Sequence, residues 1–394
     1  MSTLAQTAQP AGRPATPTLG VGKSLLLCLP IFLVSALLFP LNYAQTGDTA
    51  RMVFASLIWV AVNVVFFFML RSGKTHRYRS VLFIIMAVTF SFSFISNLID
   101  TRGSMALTDE IVLSGETPFC HLAIPMIIIP ATLTRTIIFP GSLLGGYGVA
   151  SMLVLWIGSS LAMGRGWCSW ACFYGGLDEG FSHILRKARI KNINRMWTYL
   201  PWAVLLGVVL TSAATLSPIY CEWLCPFKTV TEYVAITNFK TLVQAVIFLT
   251  LFAVLVVVLP ILTRKRTQCS LFCPFGAMQS LTNKVNIYSV RIDPTKCVQC
   301  GLCIRECPTL SLDESSLKSG KPLLSCTKCG KCVDTCPQKA ITYHVNGTAP
   351  GKHPTAARVL FLYPAYLMML AFSGSFLVDT LWRLFHLITT GSLI

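Results

Sequence analysis

The sequence predicts a mainly α-helical polytopic membrane protein of about seven transmembrane helices, with a small soluble α+β module inserted before the last of them. Three observations carry this. Of 394 residues, 54% are apolar and only 12% charged, and the mean hydropathy is +0.65, which is too apolar for a set of soluble domains. Apolar stretches long enough to cross roughly 30 Å of hydrocarbon recur along the chain. At residues 293–345 the composition turns polar and dense in cysteine.

Residues 1–22 are rich in Ala, Pro, Thr and Gly and read as a mobile tail. No early basic stretch leads into an apolar core and cleavage site, so no cleaved signal peptide is expected. Spans are expected at about 23–44, 52–70, 80–98, 143–163, 198–219, 241–262 and 357–379, the first six forming a membrane domain over 23–292. Basic residues gather in three loops: Arg71 to Arg79, Arg165 to Arg195, and Arg264 to Arg266. The positive-inside rule makes these loops cytoplasmic, which explains the net charge of +17 without a nucleic-acid partner. The loops near 45–51, 99–142 and 220–240 then face outward, in a bacterial inner membrane. Within them, 118–140 is long and apolar but holds Pro125, Pro130 and Arg135, so it reads as a re-entrant or surface-lying segment.

The soluble module repeats C-x-x-C-x-x-C-x-x-x-C-P twice. This is the pattern of a bacterial ferredoxin with two 4Fe–4S clusters, in which three near cysteines hold one cluster and the fourth reaches the other. Cys297, Cys300, Cys303 and Cys336 are therefore assigned to one cluster, and Cys307, Cys326, Cys329 and Cys332 to the second. Gly301 and Gly330 suit backbone wrapping tightly around a cluster. Two zinc sites would need neither the third cysteine of each run nor the proline. Residues 346–394 supply a linker and the last span, whose end LWRLFHLITTGSLI reads as lying along the outer surface.

Outside the module, three C-x-x-x-C pairs stand beside apolar runs: Cys168/Cys172 in GWCSWAC, Cys221/Cys225 in YCEWLCPFK and Cys269/Cys273 in CSLFCPFG. Residues four apart on a helical turn share a face, so each pair offers two sulfurs to one centre, and a cubane needs four. By the expected topology the first and third pairs lie on the cytoplasmic side and can share an additional cluster or metal, while Cys221/Cys225 lies towards the opposite face. Every cysteine but Cys28 and Cys120 thus falls in a metal-ligating spacing.

The segments GRGWCSWAC, CEWLCPFK, RTQCSLFCPFGAM and IDPTKCVQCGLCIRECP resemble the membrane polyferredoxins, which include the NapH-type quinol dehydrogenase subunit, the ferredoxin-bearing part of NosR and the CcoG/FixG accessory proteins. The resemblance covers about 145–345 and its motifs are shared across these subfamilies. It implies a cytoplasmic ferredoxin module that carries electrons between the quinone pool and a protein redox partner, and so an oxidoreductase or quinol dehydrogenase subunit. An accessory role, handling copper for the maturation of a partner enzyme, is the alternative it implies. Weaker candidates for an outer site are Cys120, His121 and Glu116, with Glu222 between two motif cysteines. His344 reads as structural. No dinucleotide, ATP or covalent haem motif is present.

Overall fold

The computed structural model describes residues 19–45, 47–100, 121–126, 128, 149–231, 236, 238–349 and 353–391. In chain order the main helices are α1 (Val21–Ala44), α2 (Thr49–Ser72), α3 (Thr75–Asp100), α4 (Val149–Met163), α5 (Phe173–Ser182), α6 (Arg195–Thr215), α7 (Phe239–Thr263), α8 (Pro274–Leu281), α9 (Leu302–Glu306), α10 (Lys331–Thr335) and α11 (Pro354–Thr390). The strands are β1 (Tyr288–Ile292) and β2 (Ile341–Val345). Among the described residues five helices, α1, α2, α6, α7 and α11, are long and apolar enough to cross a membrane. The two other expected spans fall on α3 and α4. Both border or enter stretches outside the described residues, which also take in most of 118–140.

Local chemistry sets the helix ends. Asp48 caps α2 by accepting from the Ala50 and Arg51 amides at 3.1 and 3.0 Å, and Gly73 ends it at φ 70°, turning the chain into α3. Asn238 and Thr241 form a capping box at the start of α7. Within α7, Phe252–Val258 adopts a π-turn. Such a turn shifts the carbonyl register and leaves acceptors open, and Thr267 Oγ1 donates to Leu255 O at 2.6 Å. After Arg264 reverses the chain at φ 55°, this bond draws the turn Thr267–Leu271 back alongside α7.

Helix α11 is the axis of the bundle. Its apolar window is 50% buried, against 17% for α7. Tyr366 and Tyr363 donate to the carbonyls of Val62 and Leu27 at 2.6 and 2.9 Å, and Arg358 Nη2 donates to Leu70 O at 2.9 Å. At about 1.5 Å per residue its 37 residues extend roughly 55 Å. The stretch LWRLFHLITT therefore continues this helix to Thr390, contrary to the surface-lying expectation. An Asp379–Arg383 pair at 3.1 Å braces that last part, and the first positive-φ residue is Gly391.

Between α8 and α11, β1 and β2 pair antiparallel from Tyr288↔Val345 to Ile292↔Ile341. Tyr343 stacks on Phe361 of α11 with ring centroids 4.9 Å apart. All three basic loops touch this unit: the His76 amide donates to Asp334 at 2.7 Å, Arg195 pairs with Asp313 at 2.6 Å, and Lys265 Nζ donates to Cys307 O at 2.8 Å.

Candidate functional site

Two cysteine loops build the small unit. In each, the residue before the second cysteine (Gln299, Lys328) and the glycine after it (Gly301, Gly330) take φ between 51° and 81°, so the backbone coils around a space. At Gly330 a Cβ would lie 2.7 Å from Tyr343 Oη, so glycine is required there. Cys307 and Cys336 end α9 and α10 in extended backbone, each at ψ 116°, as the following prolines demand. The outcome is two small cavities, each lined by four cysteines. Cys297, Cys300, Cys303 and Cys336 line one, and Cys307, Cys326, Cys329 and Cys332 line the other. Burial raises the Cys303 thiol to about 11, with the charges of Cys336, Cys300 and Cys297 acting the same way. Four thiolates facing one cavity repel one another unless a cationic core sits among them. The donor set and the coiled loops fit a four-iron cube.

A single ion fits less well. Sulfurs bound tetrahedrally at about 2.3 Å stand roughly 3.8 Å apart. Among the described residues no three cysteine sulfurs lie mutually within 4.8 Å, whereas thiolates on separate irons of a cube spread wider. The three ligand atoms that do gather so closely belong to His76, Glu179 and His183. There Arg79 donates to Glu179 and, at 3.0 Å, to His76 Nδ1, so a guanidinium already supplies the positive charge.

The same construction recurs in the bundle. Cys168 and Cys269 lie in the short turns Trp167–Trp170 and Thr267–Leu271, while Cys172 and Cys273 cap α5 and α8 at φ/ψ of −80°/111° and −66°/115°. Cys172 reaches this geometry without a following proline. The two turns face each other. Arg266 donates to the Cys168 carbonyl and, at 2.6 Å, to Ser169 Oγ; Arg165 donates to the Cys269 carbonyl and to Ser280 Oγ, both at 2.9 Å. Asp178 of α5 accepts from the Cys269 amide at 3.0 Å. Burial drives the Cys172 thiol well up, and the charges of Cys269, Cys168 and Cys273 add to this.

Buried cations surround this quartet. Arg79 and Arg266 are fully buried and Arg165 is 3% exposed. Glu179 pairs with Arg79 and stands 3.9 Å from Arg266. Among the described residues no carboxylate lies within 4 Å of Arg165. An uncompensated buried charge costs about 3–5 kcal/mol, and an anionic group among the four cysteines would compensate it.

The middle pair departs from expectation. Residues Tyr220–Leu224 form a π-turn, and Tyr220, fully buried, receives Gln268 Nε2 at 3.3 Å on its hydroxyl. Burial pushes that hydroxyl well up, as do charges on Cys225, Cys273 and Cys221. The middle pair is thus drawn in beside the quartet instead of standing apart towards the opposite face; the stacking of Phe227 on Tyr174, centroids 4.0 Å apart, accompanies this. His121 likewise leaves its expected outer position. It is buried against Trp167, Tyr174 and Phe275 with Nε2 3.1 Å from Cys172 Sγ. Glu222 is half-buried in the middle turn, its carbonyl accepting from Gln244 at 3.1 Å. Cys120 and Glu116 lie outside the described residues.

Sequence reasoning missed Arg165, Arg266, Asp178 and Tyr220. A legible signal existed: R-x-x-C-x-x-x-C-x-x-G occurs at Arg165–Gly175 and again at Arg266–Gly276, and only there among the three pairs.

Residues 289–337 match the family described as 4Fe-4S dicluster domain. Residues 144–192, 198–242 and 245–291 each match the 4Fe-4S binding domain family, one cysteine pair per stretch. YccM of Escherichia coli (strain K12), named for electron transport, is 26% identical over 165 residues, 40% of this chain and 45% of that protein. The regulatory protein NosR of Pseudomonas aeruginosa is 31% identical over 171 residues, 40% of this chain and 22% of NosR. NosR of Stutzerimonas stutzeri is 27% identical over 176 residues, again 40% and 22%. The chain thus spans less than half the length of each of these relatives. No solved structure matches it. Taken in order, the matched stretches run from residue 144 to residue 337 and hold every paired or clustered cysteine, and over them the chain carries 4Fe–4S domains and is similar to the NosR-like membrane polyferredoxins.

Proposed function

We propose that this protein carries electrons across a bacterial inner membrane, between the quinone pool and a protein partner that meets the cytoplasmic ferredoxin module. The observation that carries the reading is the order of the cysteine sites. The quartet Cys168, Cys172, Cys269 and Cys273 sits in the bundle. The set Cys307, Cys326, Cys329 and Cys332 follows, joined to it by Arg266 N–H to Pro308 O at 2.8 Å and Trp170 Nε1 to Lys328 O at 3.3 Å. The set Cys297, Cys300, Cys303 and Cys336 is outermost, with Cys300 exposed. Each set holds one 4Fe–4S cluster, and a cluster, when bound, supplies one-electron storage. The chain's own part is to fix the sites in a row and to exclude water from the inner ones. That a relative is named for electron transport supports this assignment.

At the end of the bundle away from the module, a cavity of about 260 Å³ is lined by Tyr43, Arg51, Ser93, Phe376 and Asp379. Phe376 packs on Phe173, the residue after Cys172, with ring centroids 5.5 Å apart. Hydroxyl and guanidinium donors suit quinone oxygens, and the Asp379 carboxylate can receive a quinol proton. The experiment is addition of a quinol to oxidised, anaerobically purified protein, with bleaching of the cluster absorbance expected. Clusters that no quinol reduces, and whose reduced form no quinone oxidises, would sink the quinone assignment.

Orientation gives a separate prediction. The three basic loops and the module lie together, and the positive-inside rule puts them in the cytoplasm. A reporter fused after Lys352 should behave as cytoplasmic and one inserted near Ser104 as extracytoplasmic. Labelling of residues 293–345 from outside intact cells would reverse this topology.

A further inference from the structure

The first and third cysteine turns grip each other through two arginines placed three residues before the leading cysteine of each pair. The Arg266 fork holds the Cys168 carbonyl and Ser169, and its Nη2 also lies 3.3 Å from Cys269 Sγ. The Arg165 fork holds the Cys269 carbonyl and Ser280. These carbonyls belong to helical turns of four and five residues, too short to use all their acceptors internally. Glycine three residues after each second cysteine makes room. A Cβ on Gly175 would stand 2.2 Å from Arg266 Nη2 and 2.5 Å from the Cys168 carbonyl oxygen; one on Gly276 would stand 3.1 Å from Arg165 Nη2. In the middle repeat Pro218 and Lys228 occupy these two positions, so that turn has neither the cation nor the space.

Beside the Cys168 sulfur, the partners that the structure gives the Arg165 guanidinium are neutral oxygens, yet it is buried. A cube held by four thiolates is anionic, and becomes more so on reduction. Hydrogen bonds to sulfur and net nearby charge are the chain's means of setting a cluster's potential.

Resting on the reading that the quartet holds a cluster, we propose that Arg165 and Arg266 are its positioning residues: they lock the first and third repeats around it, exclude the middle repeat, and raise its reduction potential by balancing its negative charge.

The test is iron analysis with an EPR-monitored redox titration of the full chain, purified anaerobically. Wild-type protein should hold about twelve irons. About eight would remove the underlying reading before the arginines are considered. In Arg165→Gln and Arg266→Gln the component beyond the two ferredoxin signals should shift downward by at least tenfold in its reduction equilibrium, about 59 mV for one electron. Its loss with about four irons, the ferredoxin signals remaining, would equally support the proposal. Arg266→Lys, which keeps the charge without the fork, should recover most of the potential. Should these glutamine variants misfold, Ser169→Ala and Ser280→Ala remove one anchor from each fork and should give smaller downward shifts. A twelve-iron protein whose potentials are the same in wild type and both glutamine variants would overturn the proposal, as would a lysine variant shifted as far as the glutamine one.

Discussion

The double variant Cys168→Ala/Cys269→Ala is expected to purify with about four irons fewer than the wild type's twelve while both ferredoxin EPR signals persist. Together the two substitutions remove one sulfur from each half of the quartet, and the remaining Cys172 and Cys273 are too few to hold a cube. The module has its own contacts with α11 and β1–β2 pairing, so its two cavities survive. Cys221→Ala/Cys225→Ala serves as the contrast. The middle pair lacks the arginine and glycine of the other two, and its removal should leave the twelve irons in place. A wild type of eight irons that keeps full electron transfer after all six substitutions would return these cysteines to the role of small packing residues.

The second large effect lies in the module. Cys336→Ala should abolish the same EPR signal as Cys297→Ala, although the two belong to different sequence repeats, because both line the cavity shared with Cys300 and Cys303. Cys307→Ala should pair in the same way with Cys326→Ala. A Cys336→Ala spectrum that matches Cys326→Ala would contradict this arrangement. Loss of an inner ligand should also cost more iron than loss of Cys300, which is exposed and can be replaced by water or added thiol.

What could be read from the sequence follows from how far each determinant reaches along the chain. Cysteine spacing and the prolines after Cys307 and Cys336 act within a few residues, so the module's chemistry was plain. Hydropathy marks which segments can cross a membrane, and it found α1, α2, α6 and α7 near their observed ends and the start of α11. It is blind to re-entry. Cys221/Cys225 and His121 were placed outward by counting crossings, whereas Tyr220 and the aromatic contacts of His121 draw them in beside the quartet. The arginines escaped because an arginine in a basic loop ordinarily reads as an orientation signal. Arg165 and Arg266 carry that charge and also a bonding role whose partner lies in a distant repeat. At α11 the polar residues of LWRLFHLITT suggested a surface-lying end, but Asp379 and Arg383 satisfy each other one turn apart and let the helix continue.

The reciprocal contact between the first and third turns has a consequence for descent. Where residue i of one unit touches j of the other and j touches i, the interface is isologous, the pattern produced when two identical subunits meet about a twofold axis. A single ancestral repeat carrying R-x-x-C-x-x-x-C-x-x-G could therefore have assembled the whole quartet as a homodimer. The present chain has the form of such a dimer fused end to end with a third copy between its halves, and only the fused copies still obey the symmetry. Pro218 and Lys228 leave the intervening copy outside that symmetry.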